Sequence, residues 1–237
     1  MPNYTVGELD DLEEAAESAT PNQLAAALAL ISRIFEQNAI TYAVLGGMNF
    51  YVRGSGRTTT DVDIAVDNRP RMDALLDILS AQVITYSVYR PTNRMQWVSG
   101  VARTFVDVGS RQMVQLDLMP KGAEFAVLPD DLAGSVDRLG VPTSDGGSFD
   151  CNMLAVGPLV GAKIRAHSAR EEQKDYHDLL FVCRSAKYAP LVRDNARSYR
   201  QEWKECFLEK VIENDPEDEE QIRWALDTPR SPSLSQI

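Results

Sequence analysis

The spacing of apolar positions sorts the chain into elements. In NQLAAALALISRIFEQNAI (22–40), Leu24, Leu28, Ile31 and Ile34 recur every three or four residues. That period predicts an amphipathic helix, begun by Thr20-Pro21 as a cap and first-turn proline. ITYAVLG then reads as a strand ending in glycine, and Met48 to about Arg53 as a short helix. TTTDVDIAVD reads as a second strand, and Pro70 opens a helix over RMDALLDILSA. VITYSVY and the region 95–119 are β-like, with a turn expected at Gly109-Ser110.

Residues 141–150, VPTSDGGSFD, read as a loop, and beyond them the period becomes helical. GPLVGAKIRAHSAREEQKDYHDLLFVCRSA contains no Gly or Pro after Gly161, and further helical segments follow around 188–212 and 217–227. The expected organisation is an acidic N-terminal extension (1–20), an α/β domain (21–150), a helical domain (151–228) and a flexible tail (229–237) ending in the Pro/Ser-rich PRSPSLSQI.

Composition narrows the class. With 44% hydrophobic residues in 237, the chain can build a core, which excludes global disorder. No apolar run approaches the ~18 residues of a membrane span, and MPNYTVGELDDLEEAAES has acids where a signal peptide needs basic and apolar residues. A soluble, cytoplasmic protein with no membrane partner is expected. Cys151, Cys183 and Cys206 are far apart and form no CxxC, and there are only two histidines. Any metal must then be a hard cation on oxygen ligands.

The net charge of -11 is concentrated at the ends. Residues 1–20 hold six acids and no base, residues 212–237 seven acids and two bases, and the stretch between is neutral. Acidic ends are expected to be solvated tails. A neutral middle argues against a long nucleic-acid track but allows a local contact, for which Arg90, Arg94, Arg103 and Arg111 are candidates.

The strand at 61–66 carries the chemistry. Side chains alternate along a strand, so Val62, Ile64 and Val66 share an apolar face while Asp61, Asp63 and Ala65 share the other. QMVQLDLMP splits alike: Val114, Leu116 and Leu118 on one face, Met113, Gln115, Asp117 and Met119 on the other. Clustered carboxylates repel and resist desolvation unless a cation compensates them. If the two strands are neighbours, Asp61, Asp63 and Asp117 converge on one or two Mg²⁺ ions, Mn²⁺ being an alternative. Asp107 is the rival third acid. Gly46-Gly47, between strand and short helix, would let backbone N–H groups approach a phosphate. There is no P-loop and no dinucleotide fingerprint.

Gly46, Gly47, Arg57, Thr59, Asp61 and Asp63, with Asp117 later, resemble the nucleotidyltransferase superfamily of DNA polymerase β. More narrowly they are similar to minimal nucleotidyltransferases of the AbiEii toxin type. The resemblance spans roughly residues 25–185 and includes a second motif, Lys163, Arg170, Lys174-Asp175 and Asp178-Leu179. It implies an α/β (α+β) nucleotidyltransferase fold, a mixed sheet flanked by helices and followed by a helical part. It also implies Mg²⁺-dependent transfer of a nucleotide from an NTP such as ATP, with release of pyrophosphate. The acceptor stays open: tRNA, a protein hydroxyl or a small molecule. A cognate antitoxin is implied by analogy only.

In that reading Asp61, Asp63 and Asp117 bind metal and act catalytically with Lys163. Gly46, Gly47, Arg57, Thr59, Arg170, Lys174 and Asp178 bind nucleotide. Helical spacing independently puts Lys163, His167, Arg170, Lys174 and His177 or Asp178 on one face, a cationic stripe suited to a triphosphate if the helix is unbroken. Two other functions compete: a catalytically silent nucleotide-binding or interaction module, and a metal-dependent phosphodiesterase. The latter lacks the extra His/Asp ligands such hydrolases commonly use.

Overall fold

The computed structural model describes residues 4–67, 72–81, 90–91, 94–98, 101–109, 112–121 and 128–229. Pro70, the strand expected at VITYSVY, Ser110 of the expected turn, Arg111 and the tail beyond Pro229 lie outside the described residues. The chain divides into two compact units, Met1–Leu154 and Ala155–Ile237.

The first unit opens with α1 (Val6–Glu17) and α2 (Pro21–Gln37). Each begins in a reciprocal capping box, Thr5 with Glu8 and Thr20 with Gln23, which satisfies two otherwise orphaned N–H groups. β1 (Tyr42–Leu45), α3 (Gly46–Val52), β2 (Asp61–Val66) and α4 (Met72–Ala81) follow. Then come β3 (Arg90–Pro91), β4 (Gln96–Val98), β5 (Val101–Asp107), β6 (Met113–Pro120), β7 (Val136–Pro142) and β8 (Ser148–Leu154). These eight described strands form one open mixed sheet, in the order β3-β5-β6-β2-β1-β8-β7 with β4 beside β5. β2 is central, antiparallel to β1 and parallel to β6.

One face of the sheet is dry. Tyr42, Val44, Val62, Ile64, Val66, Val114, Leu116 and Leu118 pack there with Leu24, Leu28, Ile31 and Ile34 of α2 and Leu75 and Leu79 of α4. Burying such side chains contributes roughly 1.5–3 kcal/mol each. It also fixes register, because a one-residue slip would turn this face outward. The opposite face carries the alternate residues, the acids among them.

Two expectations for this unit change. VPTSDGGSFD is not wholly a loop: Val136–Pro142 and Ser148–Leu154 pair as a hairpin, closed by the Thr143 N–H to Gly147 carbonyl bond with Gly146 at φ 83°. β7 is an edge strand and largely solvated, so it shows no apolar alternation. The acidic N-terminal stretch forms α1 and lies against β6, and two of its six acids, Glu8 and Glu13, meet basic partners, as described below.

The second unit is helical: α5 (Val156–Arg170), α6 (Gln173–Arg184), α7 (Ala189–Asn195), α8 (Gln201–Asn214) and α9 (Glu219–Ala225). Among the described residues of the chain, no helix is long and apolar enough to cross a membrane. α5 stops at Glu171, which adopts a left-handed conformation at φ 50°. His167 is buried against the rings of Phe207 and Tyr176, and neither ring nitrogen has a hydrogen-bond partner among the described residues. The single-helix stripe through positions 163, 167, 170, 174 and 178 is therefore not formed: a backbone break divides it and its histidine belongs to an aromatic core.

Burial lowers the pKa of His167 below the ordinary histidine value, against the opposing pull of Asp175 and Glu171. The unfolded chain then binds a proton that the folded chain does not, so stability is present above about pH 6.5 and is lost as pH falls through the folded pKa. Urea unfolding from pH 7.5 to 5 should show this loss, with a slope of up to ~1.4 kcal/mol per pH unit from this one group. His167→Phe should flatten that window; an unchanged slope in the variant would contradict the assignment.

Candidate active site

The register of the central sheet assembles the site. Asp63 pairs with Asp117 across the parallel β2–β6 ladder, and Asp61 lies two residues earlier on the same face. One carboxylate oxygen from each of the three acids lies within 4.8 Å of the others. Adjacent strands are about 4.8 Å apart, so this proximity follows from the pairing. Asp107, the rival third acid, is elsewhere: it ends β5 and accepts the Gly109 N–H at 2.8 Å, capping the turn.

Gly46 and Gly47 sit against these acids. Gly46 has φ 62°, and a Cβ there would stand 1.7 Å from Asp63 Oδ2. A Cβ on Gly47 would stand 2.6 Å from Thr59 Oγ1 and 3.0 Å from Arg57 Nη1. The side chains of the motif thus lie directly on the bare backbone of the strand–helix turn. Thr59 donates to Asp61 Oδ1 at 2.7 Å, fixing that carboxylate.

Asn49 and Arg53 anchor α3, and neither was singled out from sequence. Buried Asn49 donates to the Val44 and Leu154 carbonyls at 2.7 and 3.0 Å and accepts from Arg53 Nε at 2.7 Å. Arg53 also reaches Asp137 at 2.8 Å and the Leu154 carbonyl at 3.0 Å. These bonds tie the turn to β1, β7 and β8.

Arg103 is the main residue whose role the sequence reading missed. It faces Asp117 across the antiparallel β5–β6 pair and donates Nε and Nη2 to the two carboxylate oxygens, both at 2.8 Å. Its Nη1 donates to Glu13 of α1. The hydrogen bonds to Asp117 raise the Arg103 pKa further above its already high value. Gln115 adds a bond to Asp117 Oδ1 at 3.2 Å. The turn expected at Gly109-Ser110 would pair residues whose numbers sum to 219, one short of the observed 220 that sets Arg103 opposite Asp117, so the expected turn alone did not give this pair. As a nucleic-acid contact, Arg103 is instead committed to two carboxylates, and Arg94 pairs with Glu8 at 2.7 Å. The side chains of Arg90 and Arg111 lie outside the described residues.

Within the second unit, the later motif gathers around a carboxylate that the sequence reading gave no role. Asp175 is fully buried and receives Lys163 at 2.8 Å and Arg170 in a two-pronged contact at 2.7 and 3.0 Å. Burial works to raise its pKa, but the hydrogen bonds from Arg170 and the charge of Lys163 hold it below the usual carboxylate value. Lys163 also meets buried Asp178 at 3.0 Å, and half-exposed Lys174 pairs with Glu172 at 2.8 Å.

No protein-family model matches the chain, and no curated protein does. Solved structures do. An antigenic nucleotidyltransferase-like protein from Paracoccidioides brasiliensis superposes with a TM-score of 0.52 at 15% identity, over 84% of this chain and 92% of that one. The fold is that of the nucleotidyltransferases. The nucleotidyltransferase toxin MenT4 from Mycobacterium tuberculosis aligns at 14% identity over 86% of this chain and 72% of its own, with a TM-score of 0.48. At such identities the likeness concerns architecture, and the chemistry rests on the acids themselves.

Gly46→Ala tests the close packing of turn and carboxylate. An added methyl at φ 62° costs about 1–2 kcal/mol in backbone strain and turns Asp63 out of the cluster. Gly54→Ala, at φ 92° with nothing within 4 Å of its Cβ, bears the strain alone. Titration with Mn²⁺ should show binding lost in Gly46→Ala and kept in Gly54→Ala; equal binding in both would contradict the packing argument.

Proposed function

We propose that the protein is a metal-dependent nucleotidyltransferase, moving a nucleotide from an NTP to an acceptor hydroxyl with release of pyrophosphate. The observation that carries this reading is the meeting of Asp61, Asp63 and Asp117, with oxygens within 4.8 Å, beside a glycine turn. The donor set is all oxygen and hard, which fits Mg²⁺ or Mn²⁺. When bound, such an ion neutralises triphosphate charge and aligns an in-line displacement.

The residues divide the work as follows. Asp61, steadied by Thr59, would hold the metal together with Asp63 and Asp117. In the transfer an acceptor oxygen bonds to the α-phosphorus, the bond to the bridging oxygen of the β-phosphate breaks, and pyrophosphate leaves. Asp117 would activate the acceptor in one of two ways: through a bound metal, with the proton passing to water, or as the general base that takes that proton. An ionised carboxylate offers about four acceptor positions, and the described contacts occupy two on Oδ1 and one on Oδ2, leaving Oδ2 a free lone pair. Gly46 and Gly47 present bare backbone to phosphate, with Arg57 beside them. From the motif resemblance we assign Lys163, Arg170, Lys174 and Asp178 to the nucleotide, Lys163 steadying the leaving group. The same resemblance supports the AbiEii type, ATP or another NTP as donor and, by analogy only, a cognate antitoxin as partner; it leaves the acceptor open between tRNA, a protein hydroxyl and a small molecule.

A silent nucleotide-binding module is the second reading, favoured by the fact that Arg103 already neutralises Asp117. Turnover separates the two. Asp63→Asn should lower transfer by at least ~10²-fold, since a metal's charge stabilisation is worth several kcal/mol. It should leave the melting temperature at or above that of wild type, because it removes carboxylate repulsion. Transfer surviving in Asp63→Asn would overturn the site.

A further inference from the structure

Three like charges on one sheet face need compensation even without a metal. The described structure supplies it from within. Arg103 is only 17% exposed and is shared between two elements: Nε and Nη2 hold Asp117, and Nη1 holds Glu13. Glu13 belongs to α1, which is fastened over this face of β5 and β6. Tyr4 stacks edge-on against buried Phe105 at 5.8 Å and donates to the Arg94 carbonyl at 3.0 Å. Glu8 pairs with Arg94 at 2.7 Å. Gln112 donates to the Ala15 carbonyl at 2.7 Å and accepts from Ser18 at 3.2 Å. Surface ion pairs alone would hold such a helix weakly, but here a ring contact and backbone bonds set Glu13 in place.

We infer that Arg103 is the resident counter-ion of the acidic site, competing with the divalent cation for Asp117, and that α1 tunes the competition through Glu13. The inference rests on the reading of the three aspartates as metal ligands. The charges give its direction. Arg103 beside the acids opposes an incoming dication and occupies three of the acceptor positions on Asp117 together with Gln115. Glu13 cancels that positive charge and draws one N–H of the guanidinium towards α1. The acidic N-terminal helix therefore acts on the site and sets its affinity for metal.

A purely structural Arg103, a strut that aims Asp117, gives the opposite sign. Without the strut the carboxylate would wander and metal binding would weaken. The test is titration of the full chain with Mn²⁺ alone, followed by electron paramagnetic resonance, in wild type, Arg103→Met, Arg103→Lys, Glu13→Gln and Asp63→Asn. Removing a positive charge a few ångströms from a dication should tighten binding on the order of tenfold in Arg103→Met. Glu13→Gln should weaken it several-fold, and Arg103→Lys, which keeps the charge, should stay near wild type. Thermal unfolding gives a second readout: Arg103→Met should be less stable than wild type without metal and gain more from saturating Mn²⁺. Arg103→Met binding Mn²⁺ no more tightly than wild type, with Asp63→Asn binding abolished, would overturn the counter-ion role and leave the site standing. Asp63→Asn binding like wild type would overturn the site and the inference with it.

Discussion

The structure turns on the parallel pairing of β2 with β6. That ladder sets Asp63 beside Asp117 and so forces three carboxylates into one small volume on a sheet face. The opposite face of the same strands is fully apolar and packed against α2 and α4. Sliding the register by one residue would relieve the repulsion but expose that core. Burial on one face thus imposes charge crowding on the other. The rest of the site is a response to it: Thr59 on Asp61, Arg103 and Gln115 on Asp117, and a glycine where Asp63 needs room.

The central strands were legible because their signal is local. Alternation in DVDIAV and MVQLDLMP separates an apolar face from an acidic one, and the paired glycines mark a turn that admits no side chain. The α5–α6 break was harder to read: Glu171 takes a left-handed conformation without the glycine that usually marks one. The stripe of Lys163, His167, Arg170 and Lys174 therefore looked continuous. β7 gave no pattern because neither of its faces is well buried: Val141 alone of its seven residues is shielded from solvent.

Pairings distant in sequence were the least visible. Arg103 and Asp117 are 14 residues apart and meet only once the hairpin register is set. Glu13 lies 90 residues from Arg103, and nothing in MPNYTVGELDDLEEAAES distinguishes an acid that completes an ion-pair network from one in a solvated tail. Asp175 shows the same difficulty in the second unit. Its role appears only when α5 and α6 fold back on each other and bring Lys163 and Arg170 to one buried carboxylate.

This cluster of acids is proposed to serve transfer of a nucleotide, with the phosphorus chemistry at the α-position. The most direct measurement incubates the protein and Mg²⁺ with mixed tRNA and NTP labelled at either the α- or the γ-phosphate. The account predicts α-label covalently attached to RNA or to the protein, and γ-label recovered in pyrophosphate. Label passing from the γ-position to the acceptor, or free nucleoside monophosphate formed with no acceptor present, would contradict it.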